Sequence, residues 1–337
     1  MLAALLTAHG LERLAVSPVP IPVLGAQEVL VEVQALGVNQ LDLNVIAGIG
    51  PGAAAALPRI PGIDPVGIIR AVGDSVDAER IGEPVVVKPN IPCGSCTFCA
   101  QGSEARCPRQ TVIGVHRDGG AAEFVAVPAS SAIARGELDA GLAVGMLHSL
   151  PIVLQALRAA GDVHEGQTVA ISGATGVLGE VAAHYARHRG ARVITVSRRP
   201  APQLDDVQNI VAETRQLAAR VRDVAPAGVD LALDTTGSAE VASALLGTLA
   251  WGATLSVCSA SVSTELRVDL RQFYLGRHRL VGSASADYVD VRDAIALTAE
   301  GAVTPRIDSR YSLATITSAY ERFSHPDRLG KVVIDVS

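Results

Sequence analysis

The chain has 337 residues, of which 49% are hydrophobic and 18% charged, and a formal net charge of −6; that length suits two cores of roughly 100–200 residues rather than one, and the composition excludes a disordered chain. The acidic balance and an aromatic content of 3% leave neither a basic field nor a stacking platform, so nucleic acid is not expected as a partner. Apolar residues are spread evenly without the ~20-residue run that crosses a bilayer, and the start, with His9, Glu12 and Arg13, has no export signal, so no membrane partner and a cytoplasmic location are expected.

Residues 1–129 carry short β-rich runs, Glu28–Ala35, Gly67–Val72, Pro84–Lys88 and Glu123–Val127, broken by Gly and Pro in the manner of an irregular β domain. Cys93, Cys96, Cys99 and Cys107 lie inside it with the spacing C-x2-C-x2-C-x7-C. Without an export signal such a cluster reads as metal ligation before disulfide bonding. Four thiolates close a tetrahedron around zinc and leave no position for water or substrate, so one structural Zn²⁺ is expected. A redox dithiol on one C-x2-C pair is the alternative. Lys88, Arg106 and Arg109 stand nearby in sequence as candidates to balance the thiolate charge.

Over residues 130–285 apolar strands alternate with helical segments: Thr168–Ser172, Arg192–Ser197, Val229–Asp234, Thr254–Cys258 and Arg279–Ala284 against Leu178–Arg189, Thr214–Val224 and Ala239–Leu249. That alternation predicts an α/β domain with a doubly wound parallel sheet. The strand Thr168–Ser172 runs straight into a turn with Gly173, Gly176 and Gly179, and a helix follows. Gly173, Thr175, Gly176, Val177 and Gly179 are therefore expected to cradle a dinucleotide pyrophosphate on backbone N–H groups at a helix N-terminus; a tight turn without ligand is the bland alternative. At the end of the next strand, where an NAD enzyme places a carboxylate on the ribose, stand Ser197, Arg198 and Arg199. A hydroxyl and two guanidiniums suit a 2′-phosphate, which points to NADPH, although a solvated basic turn carries the same residues. Residues 286–337 read as helix, turn, helix and a final strand Lys331–Val336, outside the alternation and expected to return to the first domain.

The glycine turn and the cysteine lobe, with Gly37–Asp42, Pro61–Gly67, Val229–Gly237 and Gly330–Val333, resemble the medium-chain dehydrogenase/reductase superfamily over essentially the whole chain. The resemblance implies a GroES-like β domain joined to a Rossmann domain, and a homodimer or tetramer built across the Arg279–Ala284 strand. Zinc alcohol dehydrogenases of that superfamily carry a cysteine where this chain has Asn39, a histidine where it has Ile63, and commonly a cysteine near His148. An alkyl chain cannot ligate and an amide ligates weakly, so the usual catalytic zinc is not expected, leaving a makeshift site on Asp64 and His148 as the alternative. The chain looks like the quinone oxidoreductase and enoyl reductase branch, which works without metal. Hydride transfer from NADPH to an activated C=C bond of an enone or quinone is the expected activity. Asn39 is then the candidate for contact with nicotinamide or substrate, and Asp42, Asp64 and His148 for orientation or proton supply. A carbonyl, alcohol or imine reductase and a catalytically silent NADPH-binding protein are the competing readings.

Overall fold

A computed structural model describes residues 1–336. The chain divides into two compact units, one of residues 1–148, 287–299 and 306 onward, the other of residues 149–286 and 300–305. The first begins with strands β1 (Leu2–Leu6), β2 (Leu14–Pro18) and β3 (Glu28–Gly37), helix α1 (Gln40–Ala47), strands β4 (Pro65–Val72), β5 (Pro84–Val87) and β6 (Asn90–Ile91), helix α2 (Thr97–Ala100), strands β7 (Thr111–Val112), β8 (Phe124–Pro128) and β9 (Ala132–Ala134), and helix α3 (Ala140–Met146). The second holds α4 (Ser149–Ala159), β10 (Thr168–Ser172), α5 (Val177–His188), β11 (Arg192–Ser197), β12 (Val207–Val211), α6 (Thr214–Val224), β13 (Val229–Asp234), α7 (Ala239–Leu246), β14 (Leu249–Val257), α8 (Leu270–Leu275) and β15 (Arg279–Gly282). The chain then returns to the first unit with α9 (Tyr288–Ala299), β16 (Ile307–Ser312), α10 (Ile316–Ser324) and β17 (Lys331–Asp335).

In the first unit a seven-stranded sheet runs β16-β17-β3-β4-β5-β9, with β8 also paired to β3. Strand β3 organises it because its side chains alternate between two cores. Val29, Val31 and Val33 pack with Ile69, Val85, Val87, Val125 and Val127, whereas Leu36 and the following Val38 join Val45, Ile46, Tyr320, Val332 and Ile334. The unit runs past Ala129, where the sequence reading ends the first domain: β9 pairs with β5, placing Ile133 opposite Val86, and α3 packs on β3, β4 and β17. The stretch Ala140–Ala159, 20 residues long, is apolar enough to cross a membrane by length and composition, which corrects the expectation that no run approaches that length. Within it, 67% of the most apolar window is buried inside the protein, as in a core helix.

In the second unit six parallel strands run in the order β12-β11-β10-β13-β14-β15. Numbered from the glycine turn this is 3-2-1-4-5-6, the doubly wound Rossmann order, whose ligand crevice lies beyond the carboxyl ends of the strands. Buried Ala170, Ile194, Ala232 and Leu255 form the inner row of its core with Leu217, Val221 and Leu245 from α6 and α7. Residues 198–206 join β11 to β12 without a helix, so the chain after β11 is an open loop. Strand β14 starts five residues before the expected Thr254, since Leu249 already pairs with Val229 and the ladder resumes after an irregularity; α7 correspondingly stops at Leu246.

Candidate active site

The glycine turn is shaped by close approach. Gly173 has φ 76°, and a Cβ there would meet Thr235 Oγ1 at 2.5 Å; a Cβ on Gly179 would meet the Gly173 carbonyl oxygen at 2.4 Å. Only hydrogen fits at either position. Gly176 is the N-cap of α5 and no side chain caps it, so beside Thr175 and Val177 the first-turn N–H groups have no capping side chain, the condition under which a helix N-terminus can accept an anion. Buried Asp234 at the end of β13 braces the turn, a role the sequence reading missed: it accepts from Ser172 Oγ at 2.6 Å, Thr236 Oγ1 at 2.7 Å and Gly237 N–H at 3.2 Å. At the end of β11, Ser197 Oγ donates to the Arg199 carbonyl at 2.5 Å. Arg198 and Arg199 are exposed and form no ion pair among the described residues.

In the first unit two registers bring distant residues together. Val333 lies opposite Gly37 on β3, and Leu36 lies opposite Pro65, so continuing each ladder sets Lys331 against Asn39 and Asp64 against Gly37. The Gly37 N–H accordingly donates to the Asp64 carbonyl at 3.2 Å. Lys331 Nζ donates to Asp64 Oδ2 at 2.6 Å and to Asn39 Oδ1 at 2.7 Å. Asn39 Nδ2 donates to the Gly37 carbonyl at 3.1 Å and to Asp64 Oδ2 at 3.3 Å. Asp42, in the first turn of α1, reaches back to the Asn39 N–H at 2.8 Å, the acidic half of a capping box, and takes the Ile63 N–H at 3.1 Å with its other oxygen. Lys331 is 2% exposed and Asp64 0%, and Asp64 Oδ1 has no hydrogen-bond partner.

Thus Asn39, Asp42 and Asp64 do converge, but around a lysine that the sequence reading knew only as part of a closing motif. Both groups of the Asn39 amide are engaged within the cluster, and both Asp42 oxygens hold backbone N–H groups. Burial pushes the Asp42 carboxyl up to about 7, against the pull of the Asn39 N–H and Lys331. His148 follows α3 and is half-buried; burial pushes its imidazole down to about 4, with Asp64 drawing it up and Lys331 pressing it down. His148 is therefore neutral at pH 7 and a poor acid.

That depression carries a pH signature. Between about pH 6.5 and pH 4 the unfolded chain binds a proton that folded His148 refuses, so its stabilisation is complete above 6.5 and lost as pH falls through 4. In urea unfolding at about pH 7 and pH 4.5, His148→Asn should lose about 2–3 kcal/mol less on acidification than the unmodified protein. Equal losses would show that His148 protonates freely when folded.

The cysteine lobe sits between β6 and β7. Gly94, with φ 71°, turns the chain after Cys93; Cys96 is the N-cap of α2, Cys99 lies within that helix, and Cys107 follows a 3-10 turn over Glu104–Arg106. The four Sγ atoms all lie within 4.8 Å of one another, a spacing that fits thiolates about 2.3 Å from one zinc ion. Arg109 Nη2 stands 3.3 Å from Cys93 Sγ. Arg106 instead stacks on the Phe98 ring at 4.6 Å, and Lys88 Nζ, buried, donates to the Asn90 carbonyl at 2.5 Å. The lobe is tied to the start of α9, where Asp287 Oδ1 accepts the Ala105 N–H at 2.7 Å and Glu104 Oε2 the Tyr288 N–H at 3.4 Å.

Residues 25–137 match the alcohol dehydrogenase GroES-like domain and residues 177–300 the zinc-binding dehydrogenase domain. An alcohol dehydrogenase of Moraxella sp. is 31% identical over 99% of both chains. The chain is a medium-chain dehydrogenase/reductase. Membership makes it an oxidoreductase, and its relatives divide by substrate: an acryloyl-coenzyme A reductase of Sulfurisphaera tokodaii is 28% identical over 94% of both chains. A zinc-binding dehydrogenase of Sinorhizobium meliloti, solved bound to NADP, superposes with a TM-score of 0.85 at 27% identity, covering 99% of this chain and 98% of that one. For this dehydrogenase/reductase the donor set does not fit the catalytic zinc of the alcohol dehydrogenases. Ile63 offers no donor atom, Asn39 Oδ1 and Asp64 Oδ2 are taken by an ammonium group, and what remains of the four is neutral His148 and the second oxygen of Asp64, too few for a catalytic zinc with three protein ligands.

Proposed function

We propose that this dehydrogenase/reductase transfers hydride from NADPH to the activated C=C bond of a conjugated carbonyl compound, an enone, a quinone or an unsaturated thioester, without a catalytic metal. The observation that carries this is the Lys331–Asp64–Asn39 cluster: beside donorless Ile63, an ammonium group takes the Asn39 and Asp64 oxygens that could otherwise face a metal. A saturated carbonyl needs a Lewis acid or a strong proton donor to take up hydride, and neither neutral His148 nor doubly bonded Asp42 is one. A conjugated acceptor delocalises the developing charge onto its own oxygen and takes its proton from water.

When bound, NADPH supplies the hydride. The uncapped α5 N-terminus would hold its pyrophosphate, and Ser197, Arg198 and Arg199 its 2′-phosphate. The four cysteines would hold a structural zinc that shapes the lobe and takes no part in the reaction. The acryloyl-coenzyme A reductase relative supports a thioester among the acceptors; the alcohol dehydrogenase relative favours a carbonyl instead. NADPH oxidation with enones, quinones, unsaturated coenzyme A thioesters, aldehydes, ketones and imines decides between them. Turnover of the conjugated acceptors alone is expected, and turnover of saturated aldehydes or ketones alone would overturn the assignment.

A further inference from the structure

We infer that Lys331 closes this cluster to divalent cations, its ammonium group serving as the resident cation of a site that would otherwise bind metal. The inference deepens the metal-free reading above and rests on it. Three features of the cluster support it. The lysine is held in place by a fitted channel: a Cβ on Gly37 would meet Lys331 Cε at 2.3 Å and Asp64 Oδ2 at 2.7 Å, so the absence of a side chain at Gly37 is what lets the lysine stem reach the carboxylate. The ammonium then takes the oxygens a metal would need, Asp64 Oδ2 and Asn39 Oδ1, at 2.6 and 2.7 Å. And Asp64 Oδ1, buried and without a hydrogen-bond partner, is an acceptor left over once that cation is in place.

Charge makes the closure effective. Lys331 and Asp64 neutralise one another in a region where both are almost wholly removed from water, so a dication arriving there meets an ammonium and no surplus carboxylate charge from that pair. With the ammonium gone, Asp64 becomes an uncompensated buried carboxylate beside Asn39, and His148 lies close enough to feel its charge. The Asp64 carboxylate, 3.3 Å from the Asn39 amide nitrogen, and the Asn39 amide oxygen are then free to face a first-row dication.

The test titrates Co²⁺ into the zinc-loaded protein and follows visible ligand-field bands and metal content. The unmodified protein and Lys331→Arg should take up no cobalt outside the cysteine lobe. Lys331→Ala should bind one cobalt ion per chain at least ~100-fold more tightly, and Lys331→Ala/Asp64→Asn should lose that binding. Lys331→Gln, which keeps the stem over Gly37 and removes only the charge, replaces the alanine variant if that one does not fold. A second metal in the unmodified protein, or none in a folded neutral variant, overturns the inference. Cobalt uptake by the unmodified protein leaves the answer of the acceptor series intact. Reduction of saturated carbonyls by a protein that refuses cobalt overturns the proposed reaction and leaves the closure standing.

Discussion

Asp64→Leu should lower the unfolding free energy by about 3–5 kcal/mol, because it strands the Lys331 ammonium in the interior with only Asn39 Oδ1 for company. Lys331→Met should cost a similar amount for the converse reason, an unpaired carboxylate that is 0% exposed. The two losses should not add. The double variant places two apolar chains of similar volume side by side, removes both desolvated charges together, and should recover most of the stability, a coupling of several kcal/mol in a double-mutant cycle. Urea denaturation of the four proteins measures it, and strictly additive losses would mean that the pair does not act as a unit.

Arg198→Ala/Arg199→Ala should lower kcat/KM for NADPH by roughly 30–100-fold and leave NADH almost unchanged. A charge-assisted bond from each arginine to a phosphate contributes about 1.5–3 kcal/mol when shielded, and less here because both side chains are exposed on an open loop. The same exposure makes the preference sensitive to salt, so the NADPH advantage of the unmodified protein should shrink as ionic strength rises. Ser197→Asp should push preference toward NADH, since a carboxylate repels the 2′-phosphate and accepts from a ribose hydroxyl. A double arginine variant that handles NADPH as well as before would locate the phosphate elsewhere.

Local chemistry made the second unit legible. β10, β11, β13 and α6 begin and end where hydrophobic alternation and the glycine turn put them, because strands buried on both faces read as unbroken apolar runs. The convergence of the four cysteines was legible because they fall within 15 residues, close enough for local spacing to bring their Sγ atoms together. The cluster in the first unit was not. Lys331 is 292 residues from Asn39 and 267 from Asp64, and their meeting depends on two strand registers that no local pattern encodes. A faint signal existed in the charged residue that opens the otherwise apolar run Lys331–Ile334, where a fully buried strand end demands a partner. The first unit's extension past Ala129 was hidden similarly, since β9 has three residues and declares itself only by pairing with β5.

The place of β17 beside β3 also orders the birth of the molecule. β3 is synthesised early, yet the strand that completes its sheet and carries Lys331 emerges about 300 residues later. On a ribosome, domains generally fold as units as they appear. The second unit, whose strands all lie between residues 168 and 282, can close while the first still lacks an edge. For that interval Asp64 has no lysine, and the Ala35–Gly37 end of β3, the part not covered by β8, offers an open edge to any passing strand. The cysteine lobe and α1 are made in the same early stretch. The α1 N-terminus waits with it, until Lys331 arrives and closes on Asn39 and Asp64.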